Sequence, residues 1–256
     1  MPTTELAGRT ILVTRPEHQA EPLCRLIEQA GGRPLRLPAL IISANSGDPE
    51  LAHRLAHLSD YQVAIFISPN AVTFGLAAIA RCGGLTASLL LATVGQGSAR
   101  ALQQQLGRLP DLVPEGGYDS EALLQLEPLQ HVNGKRVLIF RGVGGRELLA
   151  ETLRGRGARV DYAEVYRRSA PPPPDNGDWL DKTDIITLTS GEAVRNLVAM
   201  TPQSAQPQLF AKPLVVVSER CATLARQLGF QQPILVTPLA GDQAIVDTLR
   251  EWTRQQ

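Results

Sequence analysis

Short polar turns follow several apolar runs of this chain, and they carry the residue types that bind anions. In parallel α/β sheets, ligands bind at the carboxyl ends of strands, where helices begin. Small residues there leave backbone N–H groups accessible, and a helix N-terminus favours negative charge. The turns are Thr14-Arg15-Pro16-Glu17, Ser68-Pro69-Asn70, Gly95-Gln96-Gly97-Ser98, Arg141-Gly142-Val143-Gly144-Gly145-Arg146, Thr189-Ser190-Gly191-Glu192 and Ser218-Glu219-Arg220-Cys221.

Each turn taken alone is also explained as an ordinary helix cap, because serine and glycine are common at helix starts. The turns recur along the chain, however, and arginines lie among them. The combination indicates a site for a polyanion, which backbone N–H groups and guanidinium groups would share.

Sharper catalytic motifs are incomplete. Gly142 and Gly144 begin a GxGxxG pattern, but Glu147 occupies the last glycine position, which argues against dinucleotide binding. His53 and His57 share a helix face without a third ligand, so a solvated helix explains them better than a metal site. No GxxxxGK[ST] loop and no Ser-His-Asp or Cys-His set is legible. We therefore expect neither a metal nor a cofactor.

Continuous apolar runs, each followed by a helical pattern, predict the strands that position these turns. Such runs are typical of buried parallel strands in βα units. They cover residues 11–13, 63–67, 90–94, 137–140, 185–188 and 214–217.

The runs come in pairs, which indicates an internal duplication of one α/β unit. Residues 11–40 align with 137–166 at one constant offset, so that Arg15 meets Arg141. The stretch around Ser68 aligns with that around Ser190, and two further segments follow in the same order. Any two βα units look somewhat alike, but chance does not explain several matches in the same order. We expect two similar domains.

The composition is that of an ordinary globular protein. Apolar residues make up 43% and charged residues 20% of the 256 residues, and the formal net charge is zero, so no global field attracts nucleic acid or an anionic membrane. The three cysteines are far apart and form no CxxC pair, which suits a reducing compartment. No signal peptide and no run of membrane-spanning length is legible. We expect a cytoplasmic protein without nucleic-acid or membrane partners.

The order and spacing of short motifs resemble the uroporphyrinogen-III synthase family over essentially the whole chain. Each motif is weakly specific alone, and the set is specific. The motifs are Val13-Thr14-Arg15-Pro16, Ile67-Ser68-Pro69-Asn70-Ala71-Val72, Thr93-Val94-Gly95 with Ser98-Ala99, Tyr118-Asp119-Ser120-Glu121-Ala122-Leu123-Leu124, Arg141-Gly142, Glu164-Val165-Tyr166-Arg167 and Leu188-Thr189-Ser190-Gly191.

The resemblance implies an α/β fold of two similar parallel-sheet domains, joined by a two-stranded extended connection, with the active site in the cleft between them. One domain would combine residues 1–36 with 168–256, and the other would cover residues 40–163. Residues 37–39 and 164–167 would form the connection.

The resemblance also implies the reaction. The family enzyme takes hydroxymethylbilane, a linear tetrapyrrole, inverts the last pyrrole ring and closes the macrocycle with loss of water, using no metal or cofactor. We expect a monomer whose ligand is this small molecule, and the resemblance allows a transient contact with the preceding pathway enzyme. The competing hypothesis is a non-catalytic two-domain clamp for a small anionic ligand.

Site residues carry over from the resemblance position by position. Tyr166 could hydrogen-bond or protonate the departing hydroxyl, and otherwise it simply ends a connecting strand. The implied substrate-binding residues are Arg15, Ser68, Asn70, Gly95, Ser98, Arg141, Gly142, Arg146, Ser190, Gly191, Arg220, Cys221 and Ala222.

The last turn departs from the family's common Gly-Pro-x-Thr-Ala run. Here it reads Ser218-Glu219-Arg220-Cys221-Ala222. Glu219 would place negative charge near an anionic substrate, and Cys221 replaces a hydroxyl. We expect this turn to act through backbone N–H groups rather than side chains.

Overall fold

Strands and helices alternate through residues 5–115, 119–174 and 178–255, which the computed structural model describes. Tyr118 lies outside the described residues. The strands are β1 (Thr10–Val13), β2 (Arg33–Arg36), β3 (Ile41–Ala44), β4 (Val63–Phe66), β5 (Leu90–Thr93), β6 (Arg136–Gly142), β7 (Arg159–Ser169), β8 (Ile185–Leu188), β9 (Leu214–Val216) and β10 (Ile234–Val236). The α-helices are α1 (Glu17–Gln29), α2 (Pro49–Ala56), α3 (Pro69–Arg81), α4 (Gln96–Leu106), α5 (Ser120–Leu124), α6 (Glu127–Gln130), α7 (Leu148–Gly155), α8 (Asp178–Lys182), α9 (Gly191–Met200), α10 (Gln206–Phe210), α11 (Glu219–Gln227) and α12 (Asp242–Arg254).

The chain divides into two compact units. Unit one comprises Met1–Ile41 with Ser169–Gln256, and unit two comprises Ile42–Arg168. Residues 164–167, predicted to belong to a connection, lie inside strand β7. Their role in joining two domains stays a prediction.

Unit one is built on a five-stranded sheet in the order β10-β9-β8-β1-β2. Each neighbouring pair in this sheet is parallel. The central strands β1, β8 and β9 are apolar and buried, as the continuous apolar runs predicted. Strand β2 carries arginine at both ends and lies at the edge, where its exposed ends meet water.

Unit two repeats this arrangement. Its sheet has the order β3-β7-β6-β4-β5, and β7–β6, β6–β4 and β4–β5 are parallel pairs. The segment β7-β6-β4-β5 therefore matches β2-β1-β8-β9 strand for strand. Beyond β5, Ala92 forms an isolated parallel bridge with Leu112, where unit one has β10. The predicted fold class, two similar parallel-sheet α/β units from a duplication, is confirmed.

Successive residues of each central strand face opposite sides of the sheet, which gives each unit two apolar layers. In β1, Leu12 packs in the layer that holds α9 and α11, whereas Ile11 and Val13 pack in the layer that holds α1 and α12. In β6, Leu138 and Phe140 pack beneath α3, and the alternate residues pack beneath α7. Helices therefore cover both faces, which is why the strands are apolar throughout.

Candidate active site

Four of the polar turns, those after β1, β4, β6 and β8, lie where neighbouring strands send their helices to opposite faces of a sheet. In unit one, α1 after β1 and α9 after β8 lie on opposite faces. In unit two, α3 after β4 and α7 after β6 do the same. Such switch points leave a crevice at the carboxyl ends of the strands, which is the usual ligand site of this architecture.

The first groove, defined by its lining residues in unit one, lies between the starts of α9 and α11. It has a volume of about 670 Å³. Its lining residues are Ser190, Gly191, Glu192, Arg195, Arg220, Thr223, Leu224 and Gln227.

The second groove, in unit two, lies between the starts of α3 and α4. It has a volume of about 380 Å³. Its lining residues are Ile67, Pro69, Val94, Gly95, Gln96, Gly97, Ser98 and Arg100. The two grooves occupy equivalent places in the duplicated sheets, because α3 and α9 follow matching strands.

Serine side chains cap the helices at these grooves. Oγ of Ser68 accepts a hydrogen bond from the backbone N–H of Ala71 in α3, at 3.1 Å. Oγ of Ser190 accepts one from the backbone N–H of Ala193 in α9, also at 3.1 Å. Ser218 caps α11 in the same way, at 3.3 Å. The hydroxyls are therefore committed to the helices, as expected of N-cap residues. At the start of each helix, backbone N–H groups of the first turn remain available to bind a ligand.

Gly95 provides a helix start without a side chain. It is the N-cap residue of α4, and no side chain caps that helix. Gly191 is the first residue of α9 and lines the first groove, while the half-buried Asn70 lies in the first turn of α3. The structure thus brings Gly95 and Ser98 to the second groove and Ser190, Gly191 and Arg220 to the first.

Arg141 is buried rather than presented to solvent. Only 2% of its surface is exposed. Its Nε donates to the carbonyl oxygen of Gly144 at 2.9 Å, and its Nη1 lies 3.0 Å from Oε1 of Glu147. The guanidinium also stacks 4.4 Å from the ring centre of Tyr162. Nε and Nη1 of Arg141 thus hold the loop that it begins, and its predicted contact with substrate stays a prediction.

Glu147 and Tyr162, the two neighbours of the Arg141 guanidinium, also contact each other. The Tyr162 hydroxyl donates to the second carboxylate oxygen of Glu147. Hydrogen bonds from Tyr162 and Arg141 hold the pKa of Glu147 below its usual value. Burial, followed by the hydrogen bond to Glu147, raises the pKa of Tyr162. The pair therefore stays as carboxylate and neutral phenol at neutral pH, and it balances the charge of Arg141.

Arg15, the duplicate of Arg141, is also ion-paired. Its Nη1 lies 2.6 Å from Oδ1 of Asp242, the first residue of α12. Both side chains are about four-fifths buried, at 19% and 22% exposure. The two arginines that lead equivalent turns therefore each have a carboxylate partner, which the sequence analysis did not predict.

Arg146 and Arg220 are the predicted arginines that face solvent. Both are exposed, and among the described residues neither forms an ion pair or hydrogen bond. Arg220 lines the first groove. Arg146 lines a smaller cavity of about 170 Å³ in unit two, together with Tyr162 and Leu149.

Three predicted binding residues have buried side chains. Cys221 and Ala222 are 2% and 0% exposed and pack in the core of unit one, because they face inward from α11. Their backbone N–H groups donate to the carbonyl oxygen of Ser218. Ser98 is 4% exposed in the first turn of α4. The side chains of Cys221 and Ala222 therefore have a packing role, which agrees with the expectation that this turn acts through its backbone; their contact with substrate stays a prediction.

Tyr166 lies near the end of β7 and is 2% exposed. Its hydroxyl lies 3.3 Å from Oγ of Ser68 and 3.2 Å from Nη2 of Arg168. Gly142 makes this position possible, since a Cβ there would lie 2.6 Å from Cε2 of Tyr166. The structure thus holds the hydroxyl between Ser68, at the start of α3, and Arg168, while its catalytic role stays a prediction.

Several groove residues were missed by the sequence analysis. Arg195 lies one helical turn after Gly191 in the first groove, and Arg100 lies one turn into α4 in the second. Each donates weakly, at 3.4 Å, to a backbone carbonyl four residues before it. The spacing of an arginine four residues after a helix start was a usable signal, because residues at i and i+4 share a helix face.

The part of the chain that the structure describes contains neither a metal-binding cluster nor a membrane-spanning helix. No cluster of three or more histidine, cysteine, aspartate or glutamate side chains with metal-binding geometry occurs there. Within the same residues, no helix is both long enough and apolar enough to cross a membrane.

Comparison with known proteins assigns the family. The model of the family described as "Uroporphyrinogen-III synthase HemD" matches residues 21–238. The chain belongs to the uroporphyrinogen-III synthase family. It is therefore an enzyme, a cyclising lyase, as the resemblance implied.

Curated relatives in this family match along nearly the whole chain. The uroporphyrinogen-III synthase of Salmonella typhimurium is 37% identical over 94% of this chain and 100% of its own length. That of Escherichia coli is 35% identical over the same shares of the two chains.

Solved structures share the fold of this uroporphyrinogen-III synthase family member. A mutant uroporphyrinogen III synthase from Thermus thermophilus matches with a TM-score of 0.60 at 19% identity, covering 97% of this chain and 100% of the other. The enzyme from Helicobacter pylori matches with a TM-score of 0.58 at 12% identity, covering 95% and 99%.

Proposed function

We propose that this enzyme converts hydroxymethylbilane into uroporphyrinogen III and binds the substrate's carboxylates in the first and second grooves. The observation that carries the proposal is the recurrence of one groove in both units. In each, two helix starts border a concave surface, and an arginine lies one turn into a bordering helix. A substrate with an acetate and a propionate on every pyrrole ring carries the carboxylates that a groove of this kind would bind.

The proposed binding groups are the hydrogen-bond donors at the helix starts that the helices themselves do not use. The hydroxyls of Ser68, Ser190 and Ser218 already cap their helices. Carboxylates would therefore be bound by backbone N–H groups of the first turns, which helix dipoles favour. Arg100, Arg195 and Arg220 would supply charge-assisted hydrogen bonds at the same places.

Catalysis in this proposal rests mainly on holding the substrate folded. Loss of the terminal hydroxyl gives a cation that the substrate's own pyrroles stabilise, and direct ring closure would give isomer I. Attack through the substituted carbon of the last ring gives a spiro intermediate and then isomer III. A hundredfold preference for the second route requires only about 2.7 kcal/mol of selective stabilisation. Fixed orientation of a bound chain can supply an energy of this size.

Tyr166 is proposed as the general acid for the departing hydroxyl. Its own hydroxyl lies beside Ser68 at the start of α3, the helix that borders the second groove. A substrate bound at that helix start would place its hydroxymethyl group near the phenol. Proton transfer to the leaving oxygen makes water the leaving group.

The groove arginines give a direct test of the binding proposal. Arg220→Gln is expected to raise KM for hydroxymethylbilane about two- to fivefold at low salt, with kcat little changed, because an exposed charge contact is worth roughly 0.5–1 kcal/mol. Arg226→Gln is the matched control, since Arg226 is exposed on the same helix outside the groove lining. Equal KM values for the two variants and the wild type would reject the first groove as a carboxylate site.

We further propose that the enzyme works as a cytoplasmic monomer whose partner is this small tetrapyrrole. Cys24, Cys82 and Cys221 are unpaired thiols, which supports a reducing compartment. Sedimentation equilibrium with and without substrate tests the monomer, and a concentration-dependent dimer would reject it.

A further inference from the structure

The Tyr166 hydroxyl has a second polar neighbour that the proposed mechanism has not used. Nη2 of Arg168 lies 3.2 Å from the phenol oxygen, which also lies 3.3 Å from Oγ of Ser68. The guanidinium carbon also lies 5.6 Å from the centre of the Tyr166 ring. Arg168 is exposed, whereas Tyr166 is buried. The cation is thus the solvent-facing member of a Ser68–Tyr166–Arg168 cluster within unit two.

Hydrogen-bond chemistry fixes the direction of one contact in this cluster. A guanidinium only donates, so the phenol oxygen must accept from Arg168. The single proton of Tyr166 then points away from Arg168. Oγ of Ser68 accepts the N–H of Ala71 at 3.1 Å and has a second lone pair for the phenol proton. With Ser68 as its acceptor, the Tyr166 proton is directed toward the start of α3, where the substrate is proposed to bind.

Packing holds the phenol in this orientation. Gly142 approaches the ring so closely that a Cβ there would meet Cε2 and Cζ at 2.6 and 2.7 Å. Phe74 packs on another side, with ring centres 5.8 Å apart. The ring has little freedom to move, so the direction of its O–H bond depends on its polar neighbours.

We propose that Arg168 is a positioning residue for the general acid Tyr166. It orients the phenol proton and then stabilises the phenolate left by proton transfer. When Tyr166 gives its proton to the substrate's hydroxyl, the C–O bond breaks and water departs with the bonding electron pair. The proton that the terminal pyrrole carbon loses on ring closure returns to the phenolate. The overall change is substrate to product plus water.

This inference rests on the proposed role of Tyr166 and predicts a specific kinetic signature. The contact with Arg168 strengthens as negative charge develops on the phenol oxygen, because charge-assisted hydrogen bonds are stronger than neutral ones. An interaction made mainly in the transition state changes kcat rather than KM. Because Arg168 acts through Tyr166, its effect must disappear when the phenol hydroxyl is removed.

A double-mutant cycle tests the inference. Arg168→Gln is expected to lower kcat about tenfold with KM unchanged within about twofold, a part of the roughly 10²-fold that a general acid contributes. Arg168→Lys, which keeps a cationic donor, is expected to recover most of that loss. Arg168→Gln combined with Tyr166→Phe should be no slower than Tyr166→Phe alone. Arg167→Gln is the matched control, since the side chain of Arg167 pairs with Asn45 instead.

Each other result overturns the inference and separates it from the proposed mechanism. Additive losses in the double variant, or a raised KM with unchanged kcat, would mean that Arg168 contacts substrate directly. If Tyr166→Phe turned over slowly and Arg168→Gln turned over at the wild-type rate, Tyr166 would remain the proposed general acid, but Arg168 would not position it. A fully active Tyr166→Phe would reject both. Equal melting temperatures of all variants confirm that the losses are not losses of folded protein.

Discussion

Nη1 of Arg141 lies 3.0 Å from Oε1 of Glu147, six residues along the same loop. This contact supports the loop between β6 and α7, which is a role that the sequence did not predict for Arg141. The equivalent arginine of unit one, Arg15, lies 2.6 Å from Asp242. Each of the duplicate arginines therefore has a carboxylate partner, but from a non-equivalent position, since the duplicate of Glu147 is Glu21. Internal charge pairs hold both turns. Other cations must then pair with the negatively charged carboxylates of the substrate.

Arg141→Ala is therefore expected to destabilise the fold more than it weakens binding. The change removes the donor to Gly144 and leaves Glu147 without its cation, which should cost about 1–3 kcal/mol of unfolding free energy. Arg146→Ala is the matched control on the same loop, since Arg146 is exposed and unpaired among the described residues. Urea unfolding of both variants checks this. A stable Arg141→Ala protein with only a raised KM would contradict this expectation and support the binding role predicted from the sequence.

Tyr166→Phe is expected to lose more activity than Ser68→Ala or Ser190→Ala. Phenylalanine keeps the ring packing against Gly142 but removes the proposed acid, and we expect a loss near the low end of the roughly 10²- to 10⁴-fold range. The serine changes remove a helix cap, which costs about 1 kcal/mol of stability but leaves the backbone N–H groups. Turnover with isomer analysis is the measurement, and residual product should still be mainly isomer III.

Tyr162→Phe serves as the control for this comparison. It removes a phenol hydroxyl from the same sheet, one that is bonded to Glu147 rather than to Ser68. Tyr166→Phe turning over as fast as the wild type would show that the Tyr166 hydroxyl has only a structural role.

Gly142→Ala should damage the site through Tyr166. The added methyl group would lie 2.6 Å from Cε2 of the tyrosine ring, so the ring or strand must shift at a cost of about 1–3 kcal/mol. Gly155→Ala is the control, because no atom lies within 4 Å of its added Cβ and its backbone is helical. That change is expected to be neutral or stabilising by up to about 1 kcal/mol. Unaltered turnover and melting temperature in Gly142→Ala would refute the close packing.

Tyr61 is expected to give the protein a specific alkaline instability. It is 1% exposed and donates to Asp161, and burial, followed by this hydrogen bond, raises its pKa to about 12. The unfolded value is about 10, so the folded state binds the proton more tightly. Its contribution to stability is complete below pH ~10 and is lost as the pH rises toward ~12.

Ultraviolet titration of the phenols checks this shift. Of the four tyrosines, Tyr61 and Tyr162 should ionise later than an ordinary phenol, and Tyr61→Phe should remove the component near pH 12. A titration in which Tyr61→Phe removes a phenol of ordinary pKa would contradict the buried hydrogen bond.

The strands and the duplication were predictable from sequence, because a parallel strand buried on both faces must be apolar throughout. The runs at 11–13 and 185–188 became the central strands β1 and β8. The partners of site residues were not predictable. Asp242 is far from Arg15 in the sequence, and only the folded backbone brings the two side chains together. Cys221 was assigned to the turn from its position, but the helical phase of α11 directs its side chain into the core.

The central claim is most directly tested by isomer analysis of the reaction product. Purified protein is incubated with hydroxymethylbilane without added metal or nucleotide, and uroporphyrinogen isomers I and III are separated and compared with a protein-free control. The structure and the family predict that the protein directs the substrate to isomer III. Isomer I alone, in the amount formed without protein, would contradict the assigned reaction.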